Sequence, residues 1–150
     1  DEALIYSLGQ KAKTVFEELI IDKSRISQYE LITSETFTSY GVCQFSFVKS
    51  INGFNTNDTL SIAIDRDGKI KSYTGSRQGI FDNLTVNADR SDIEKFIDEK
   101  VNSRYKNQTV KYNVNSMTID KKKNKFYIRC FVGVETEEYI TGDEYEYRLK

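Results

Sequence analysis

Two alternating apolar runs on either side of an Asp-Gly pair constrain the fold of this chain more than any other feature. Apolar residues alternate with small or polar ones over 59–64, and an extended pattern resumes over 70–73, after Asp67 and Gly68. An Asp-Gly pair supplies the positive φ angles of a tight turn between two strands. The pattern predicts an antiparallel hairpin. A calcium loop is disfavoured, because the stretch lacks a third oxygen ligand before the glycine and a closing glutamate.

Two segments have the spacing of amphipathic helices. Apolar residues recur at three- and four-residue steps over about 2–20, so we expect this helix to cover a sheet with one face. Gly9 falls inside it and should cost about 1 kcal/mol relative to alanine. Ser91 and Glu94 have the spacing of a capping box, which predicts a second helix from about 91 to about 106. The stripe of the first helix comprises Leu4, Leu8, Ala12, Val15, Phe16 and Leu19.

The remaining extended runs give the order helix, strands, helix, strands. A Tyr-x-x-Cys spacing occurs over 40–43 and again over 127–130, each time in a strand after a helix, which agrees with an internal duplication. We therefore predict an α+β fold of two tandem helix-plus-antiparallel-sheet (α-β-β-β) units packed together, over 1–82 and 83–150. One joint domain over 1–150 is the alternative, since no Pro-, Gly- or Ser-rich spacer separates the halves.

The charge balance argues against a nucleic-acid partner. The chain has 22 basic and 23 acidic residues, so it has no overall field that would attract phosphate groups. Its one dense basic run, over 121–125, is interrupted by Asn124 and lies between two extended runs, which predicts a solvated hairpin turn. No apolar stretch approaches the ~20 residues of a transmembrane helix.

The chain contains no histidine, which removes the commonest general base, the partner of Ser and Cys nucleophiles, and the commonest zinc ligand. No glycine-rich phosphate loop is present either. Carboxylate pairs at 17–18, 137–138 and 143–144 could serve acid–base chemistry, but neighbouring residues point in different directions, which favours solvated side chains. The sequence therefore predicts a protein that is not an enzyme and has no catalytic, cofactor-binding or metal site.

The two cysteines, Cys43 and Cys130, each lie in an apolar run and lack the CxxC spacing of zinc or redox sites. Free cysteine is among the most buried residue types, so two buried thiols are expected. A single disulfide across the sheet is the alternative.

The last extended run offers a candidate partner-binding surface formed by Tyr139, Tyr145 and Tyr147. Tyrosine presents amphipathic contact area at a low cost in side-chain entropy. Core packing is the alternative, because Tyr145 and Tyr147 share a face with Leu149. If this strand lies at a sheet edge, strand addition by a partner is a further route to binding.

The stretch over 45–73, FSFVKSINGFNTNDTLSIAIDRDGKIKSY, resembles the core of PepSY-like domains and the related YcdB/YcdC-type repeats of Gram-positive envelope proteins. In those proteins one helix precedes an aromatic strand, a glycine turn, an apolar strand, an Asp-Gly hairpin and a last strand. The resemblance covers about 2–75, and a weaker second copy over about 89–149 matches in element order only. It implies a secreted, lipoprotein or membrane-attached context, with roles as protease propeptides, inhibitors or envelope modules, and it transfers no catalytic residue.

These features predict a non-enzymatic, extracytoplasmic binding or inhibitory module of a bacterial secreted protein or lipoprotein. The chain begins at Asp1 without methionine, so we expect that a leader has been removed. The expected partner is a protein, a peptide or a cell-wall component. Two alternatives remain open. One is a cystatin- or NTF2-like fold with a small-ligand pocket lined by Phe45, Phe47 and Phe126, and the other is a structural spacer of a larger surface protein.

Overall fold

The computed structural model describes all residues from Asp1 to Lys150. It has two α-helices, α1 (Glu2–Leu19) and α2 (Arg90–Arg104), and a 3-10 helix over Lys23–Gln28. Its seven strands are β1 (Tyr29–Thr33), β2 (Val42–Ile51), β3 (Phe54–Asp65), β4 (Ile70–Gly75), β5 (Lys111–Lys122), β6 (Lys125–Glu135) and β7 (Ile140–Arg148). Both predicted helices are therefore present, and neither is long and apolar enough to span a membrane.

The strands form one mixed seven-stranded sheet, so the prediction of two tandem helix-plus-antiparallel-sheet (α-β-β-β) units is wrong. The hydrogen-bonded order is β1-β2-β3-β5-β6-β7, with β4 added to β3. The reason lies in β3, which is long enough to take two further partners besides β2. Its residues 55–56 pair in parallel with β5, whereas its residues 60–64 pair antiparallel with β4. The parallel pairing joins strands that are distant in sequence, and no local sequence pattern predicts it.

The chain divides into two compact units. The first unit comprises residues 1–50 and 57–82, and the second comprises residues 51–56 and 83–150. In the first unit α1 lays its apolar face on the sheet, as the helical spacing predicts. The buried residues of this core are Ile5, Leu8, Ala12, Phe16, Ile20, Cys43, Phe45, Phe47, Ile62 and Ile64.

In the second unit α2 packs against β7. The ring of Phe96 meets the ring of Tyr147 edge-on, with 5.2 Å between the ring centroids. Alternate residues of β6 are buried, which is the pattern of a strand with one covered face. The buried apolar residues of this unit include Ile93, Ile97, Val101, Met117, Ile119, Ile128, Cys130, Val132 and Val134.

Two of the predicted hairpins are confirmed. β3 and β4 pair antiparallel, and Gly68 takes the positive φ of 83° that the turn requires. Asp65 belongs to this turn, because its carboxylate accepts the N–H groups of Asp67 and Lys69 at 3.0 and 2.9 Å. The basic run joins β5 to β6 through a two-residue turn, Lys123 and Asn124, whose φ angles are also positive.

The predicted capping box of α2 is displaced by two residues. Asp89, not Ser91, caps the helix: its carboxylate accepts the N–H of Asp92 at 2.9 Å. The carboxylate of Asp92 accepts the N–H of Asp89 at 3.0 Å, which completes the box. A carboxylate at this position also interacts favourably with the partial positive charge of the helix N-terminus, which serine cannot do.

Candidate functional site

The free edge of the sheet at β1 is the candidate site. β1 lies at one end of the strand order and pairs only with β2. The N–H of Ser34 donates to the carbonyl of Gln44 at 3.0 Å. This bond shows that Ser34, and every second residue before it, directs its main-chain groups towards β2. Because inward and outward groups alternate in an antiparallel pair, Leu31 and Thr33 direct their N–H and C=O groups away from β2, and so does the carbonyl of Tyr29. The N–H of Tyr29 is not free, because it donates to the carbonyl of Ile26 in the 3-10 helix.

Helix α1 runs beside this edge and forms a groove with it. The groove has a volume of about 1100 Å³. Its lining includes the residues of β1 whose main-chain groups point outward. The full lining is Glu2, Ile5, Tyr6, Gly9, Gln10 and Lys13 from α1, and Tyr29, Glu30, Leu31, Thr33, Ser34, Glu35 and Thr36 from β1 and the segment after it.

The lining combines an apolar floor with a polar rim. Ile5 and Gly9 are buried, and Leu31 is half-buried against the same core. Gly9 lies where α1 comes closest to the sheet, since an added Cβ would stand 3.4 Å from Phe45 Cε1 and 3.9 Å from Leu31 Cδ2. Tyr6 stands at the rim with 71% of its surface exposed. A ligand in the groove would therefore meet apolar surface and unpaired main-chain groups together.

Tyr29 anchors β1 to the first unit. Its ring packs edge-on against Phe16, with the ring centroids 5.2 Å apart, and its hydroxyl donates to Asp58 Oδ1 at 2.7 Å. Burial and this hydrogen bond raise the pKa of Tyr29 above its usual range. The other oxygen of Asp58 accepts the N–H of Gly79 at 3.3 Å. The strand is thus held in place without using the outward main-chain groups of Leu31 and Thr33.

The edge at β7 differs from the edge at β1. The N–H of Leu149 donates to the carbonyl of Phe126, so by alternation Glu144, Glu146 and Arg148 have the outward main-chain groups of β7. Glu144 accepts from Arg129 at 2.6 Å, and Glu146 forms an ion pair at 3.6 Å with a lysine of β5. Charged side chains on an edge strand discourage strand addition. β4 has a register shift in its pairing with β3, which has a similar effect.

The three predicted tyrosines do not form one stripe. Tyr145 is half-buried, and its hydroxyl donates to Asp143 Oδ2 at 3.0 Å. Tyr147 is also half-buried and packs on Phe96 of α2, as described above. Tyr139 is 48% exposed and lines a small pocket, of about 440 Å³, together with the Glu137–Glu138 pair. Partner binding by these residues stays a prediction.

Asp143 lies at the centre of a hydrogen-bonded cluster in the second unit. Its buried carboxylate accepts the hydroxyl of Tyr105 at 2.7 Å and that of Tyr145, and Arg104 approaches the other oxygen to 3.6 Å. The bond to Asp143, together with burial, raises the pKa of Tyr105 to about 12. No buried polar side-chain atom of this cluster lacks a hydrogen-bond partner, which is the property of a structural anchor between α2 and β7.

A second polar cluster stabilises the end of the first unit. The guanidinium of Arg25 donates to both oxygens of Asp82 at 2.5 Å, and Lys49 Nζ donates to Asp82 Oδ1 at 3.0 Å. The Arg25 and Lys49 contacts hold the pKa of Asp82 well below its usual range. Bidentate pairing of this kind fastens the segment that leads out of the unit.

The remaining predicted groups are dispersed. Cys43 and Cys130 are both buried and unpaired, and burial raises the pKa of each thiol. Phe45 is fully buried, and Phe47 stacks on Phe16 with 4.2 Å between the ring centroids, so both are part of the core of the first unit. No group of three or more Cys, Asp or Glu side chains has the geometry to hold a metal ion.

Sequence reasoning did not find the groove residues. The alternation over 29–33 predicts a strand and the spacing over 2–20 predicts a helix, but neither shows that the strand lies at an edge. Comparison with known proteins gives no further guide, because no family model, no curated protein and no solved structure matches this chain significantly.

Proposed function

We propose that this protein is a non-enzymatic binding module that accepts an extended peptide as an additional strand on β1. One observation carries the proposal: Leu31 and Thr33, whose N–H and C=O groups point away from β2, line the groove beside α1, as does Tyr29, whose carbonyl points outward. Strand addition uses such groups for affinity, and it uses the pockets for alternate side chains for specificity. A peptide strand in this groove would place every second side chain on the apolar floor formed by Ile5, Gly9 and Leu31.

The length of the edge suits a short segment. The five residues of β1 extend for about 16 Å, since a strand rises about 3.3 Å per residue. Each main-chain hydrogen bond contributes modestly, on the order of 1 kcal/mol, so burial of apolar side chains against the groove must add to the affinity. A peptide of about eight residues with alternating apolar side chains meets both requirements.

The absence of enzymatic activity is part of the proposal. The chain has no histidine, and its buried acids are engaged: Asp143 accepts from two tyrosines, and Asp58 accepts from Tyr29 and from the N–H of Gly79. The resemblance to PepSY-like domains supports an extracytoplasmic location, secreted or lipid-anchored at the cell surface. It also supports a role in binding or inhibiting another envelope protein.

The test blocks the edge without altering the sheet. In Thr33→Pro the proline removes an outward N–H and places a ring in its position, while the bonds from β1 to β2 stay intact. The probe is an acetylated and amidated peptide of about eight residues that alternates valine and threonine, titrated by calorimetry. We expect saturable binding to the native protein, at least about tenfold weaker binding to Thr33→Pro, and unchanged binding to Thr33→Ala, which keeps the N–H.

A second arm does not depend on the folding of a variant. N-methylation of alternate residues on one edge of the peptide removes its donors, and methylation in the other register leaves them free. Only one of the two methylated peptides should bind to the native protein. If both bind equally well, or if Thr33→Pro binds as tightly as Thr33→Ala, strand addition on β1 is refuted.

A further inference from the structure

The charged residues around the groove indicate which kind of peptide it would bind. Three acidic residues, Glu2, Glu30 and Glu35, contribute to its lining, and Lys13 is the one basic residue that does so. This local excess of negative charge contrasts with the whole chain, where acidic and basic residues nearly balance. The groove is therefore more acidic than the chain as a whole.

These carboxylates are not neutralised within the protein. None of the three forms a salt bridge, and all three belong to exposed residues. The glutamates of β7 behave differently, because Glu144 is paired with Arg129 and Glu146 with Lys122. Unpaired carboxylates beside an open edge leave their electrostatic attraction available to a ligand.

The position of Glu30 sets where that attraction acts. Glu30 alternates with Leu31, so its side chain lies on the opposite face of β1 from the apolar floor. On an added strand, the residue directly opposite Glu30 would hold its side chain on that same face, with about 5 Å between the Cβ atoms. Glu35 follows β1 at one end of the groove. Glu2 also lies in the first turn of α1, where the helix N-terminus already favours a carboxylate.

We infer that the strand accepted by β1 is cationic, with apolar side chains facing α1 and a lysine or arginine directly opposite Glu30. This inference rests on the proposed strand addition and names the chemistry of its ligand. Glu30 and Glu35 act as the selectivity residues of the groove, and the main chain of β1 supplies affinity that does not depend on sequence.

The experiment compares three peptides of equal length that alternate valine with lysine, glutamine or glutamate. At low ionic strength the lysine peptide should bind the native protein about three- to tenfold more tightly than the glutamine peptide, and the glutamate peptide should bind least. In the double variant Glu30→Gln, Glu35→Gln the lysine and glutamine peptides should bind equally. The affinity for the glutamine peptide should not change, which shows that the groove is intact.

Glu18→Gln is the matched control, since it removes one carboxylate from α1 at an exposed position outside the groove lining. It should leave the preference for the lysine peptide unchanged. Equal binding of the lysine and glutamine peptides to the native protein, both abolished by Thr33→Pro, would overturn the cationic ligand and leave strand addition intact. If no peptide binds, strand addition fails as well, and the cationic ligand falls with it.

Discussion

At the scale of single residues, Gly9 shows how closely α1 approaches the sheet. It lies inside a helix, where glycine is about 1 kcal/mol less favourable than alanine. An alanine Cβ at this position would meet Phe45 and Leu31 at ordinary contact distances. Gly9→Ala should therefore raise the free energy of unfolding by about 0.5–1 kcal/mol, measured by urea unfolding. A loss of stability instead would show that the Phe45 ring cannot move aside by a few tenths of an ångström.

The identity of a residue predicts its own chemistry better than it predicts which residues surround it in the fold. The two cysteines are buried and unpaired, as the expected burial of free thiols implies. The tyrosines of β7 were open to two interpretations, because alternation places Tyr145 and Tyr147 on one face without showing what covers that face. In the structure α2 lies against β7, and Asp143 accepts the hydroxyl of Tyr145. The contact of α2 with β7, in which Phe96 meets Tyr147, joins residues far apart in sequence and leaves no local signal.

At the scale of elements, the turn between β2 and β3 is held by one side chain. Asn52 has a positive φ of 50°, and its amide nitrogen donates to the carbonyls of Val86 and Ala88 at 3.1 and 3.0 Å. Asn52→Asp keeps the size and the turn preference but turns two donors into acceptors that face two carbonyls. We expect it to lower the free energy of unfolding by about 1–3 kcal/mol.

Asn124 provides the matched control for this turn. It has a positive φ of 63° in the β5–β6 turn, and it forms no side-chain hydrogen bond there. Asn124→Asp should change the stability by less than about 0.5 kcal/mol. Equal losses at the two positions would mean that the turn geometry, and not the bonds to Val86 and Ala88, determines the cost at Asn52.

Elements whose signals are local could be predicted. The 3.6-residue period of α1 and the Asp-Gly pair before β4 both act within a few residues, and both elements form as expected. The start of α2 was misplaced because three acceptors, Asp89, Ser91 and Asp92, compete within four residues for the same N–H groups. Capping depends on which acceptor reaches the helix N-terminus, and spacing alone does not decide between them.

At the scale of the whole molecule, strand pairing is the part that sequence could not predict. A strand pattern gives the period of two but not the partner, and β3 takes three partners along its length. The edges of the sheet follow only from the complete pairing order. The candidate groove exists only because β1 is an edge strand. The sequence therefore could not predict the site, for the same reason that it could not predict the strand order.

The absence of histidine predicts a flat stability profile across neutral pH. No side chain of this chain has an ordinary pKa between about 5 and 8, so the free energy of unfolding should be constant there. On the acid side, hydrogen bonds from Arg25 and Lys49 lower the pKa of Asp82. Its contribution is present above the ordinary pKa near 4 and is lost as the pH falls towards the lowered value.

On the alkaline side, the shift of Tyr105 has the opposite sign. Its pKa is raised from about 10 to about 12, so between these values the unfolded chain loses a proton that the folded protein keeps. Stability should therefore fall as the pH rises through this window, and urea unfolding at a series of pH values measures the fall. Tyr105→Phe should reduce the alkaline fall and leave the acid one, and part of the alkaline fall should remain because the pKa values of Tyr29 and Cys130 are raised as well. Asp82→Asn should reduce the acid fall and leave the alkaline one. If Tyr105→Phe leaves the alkaline profile unchanged, the Tyr105–Asp143 bond does not control the stability of the protein at high pH.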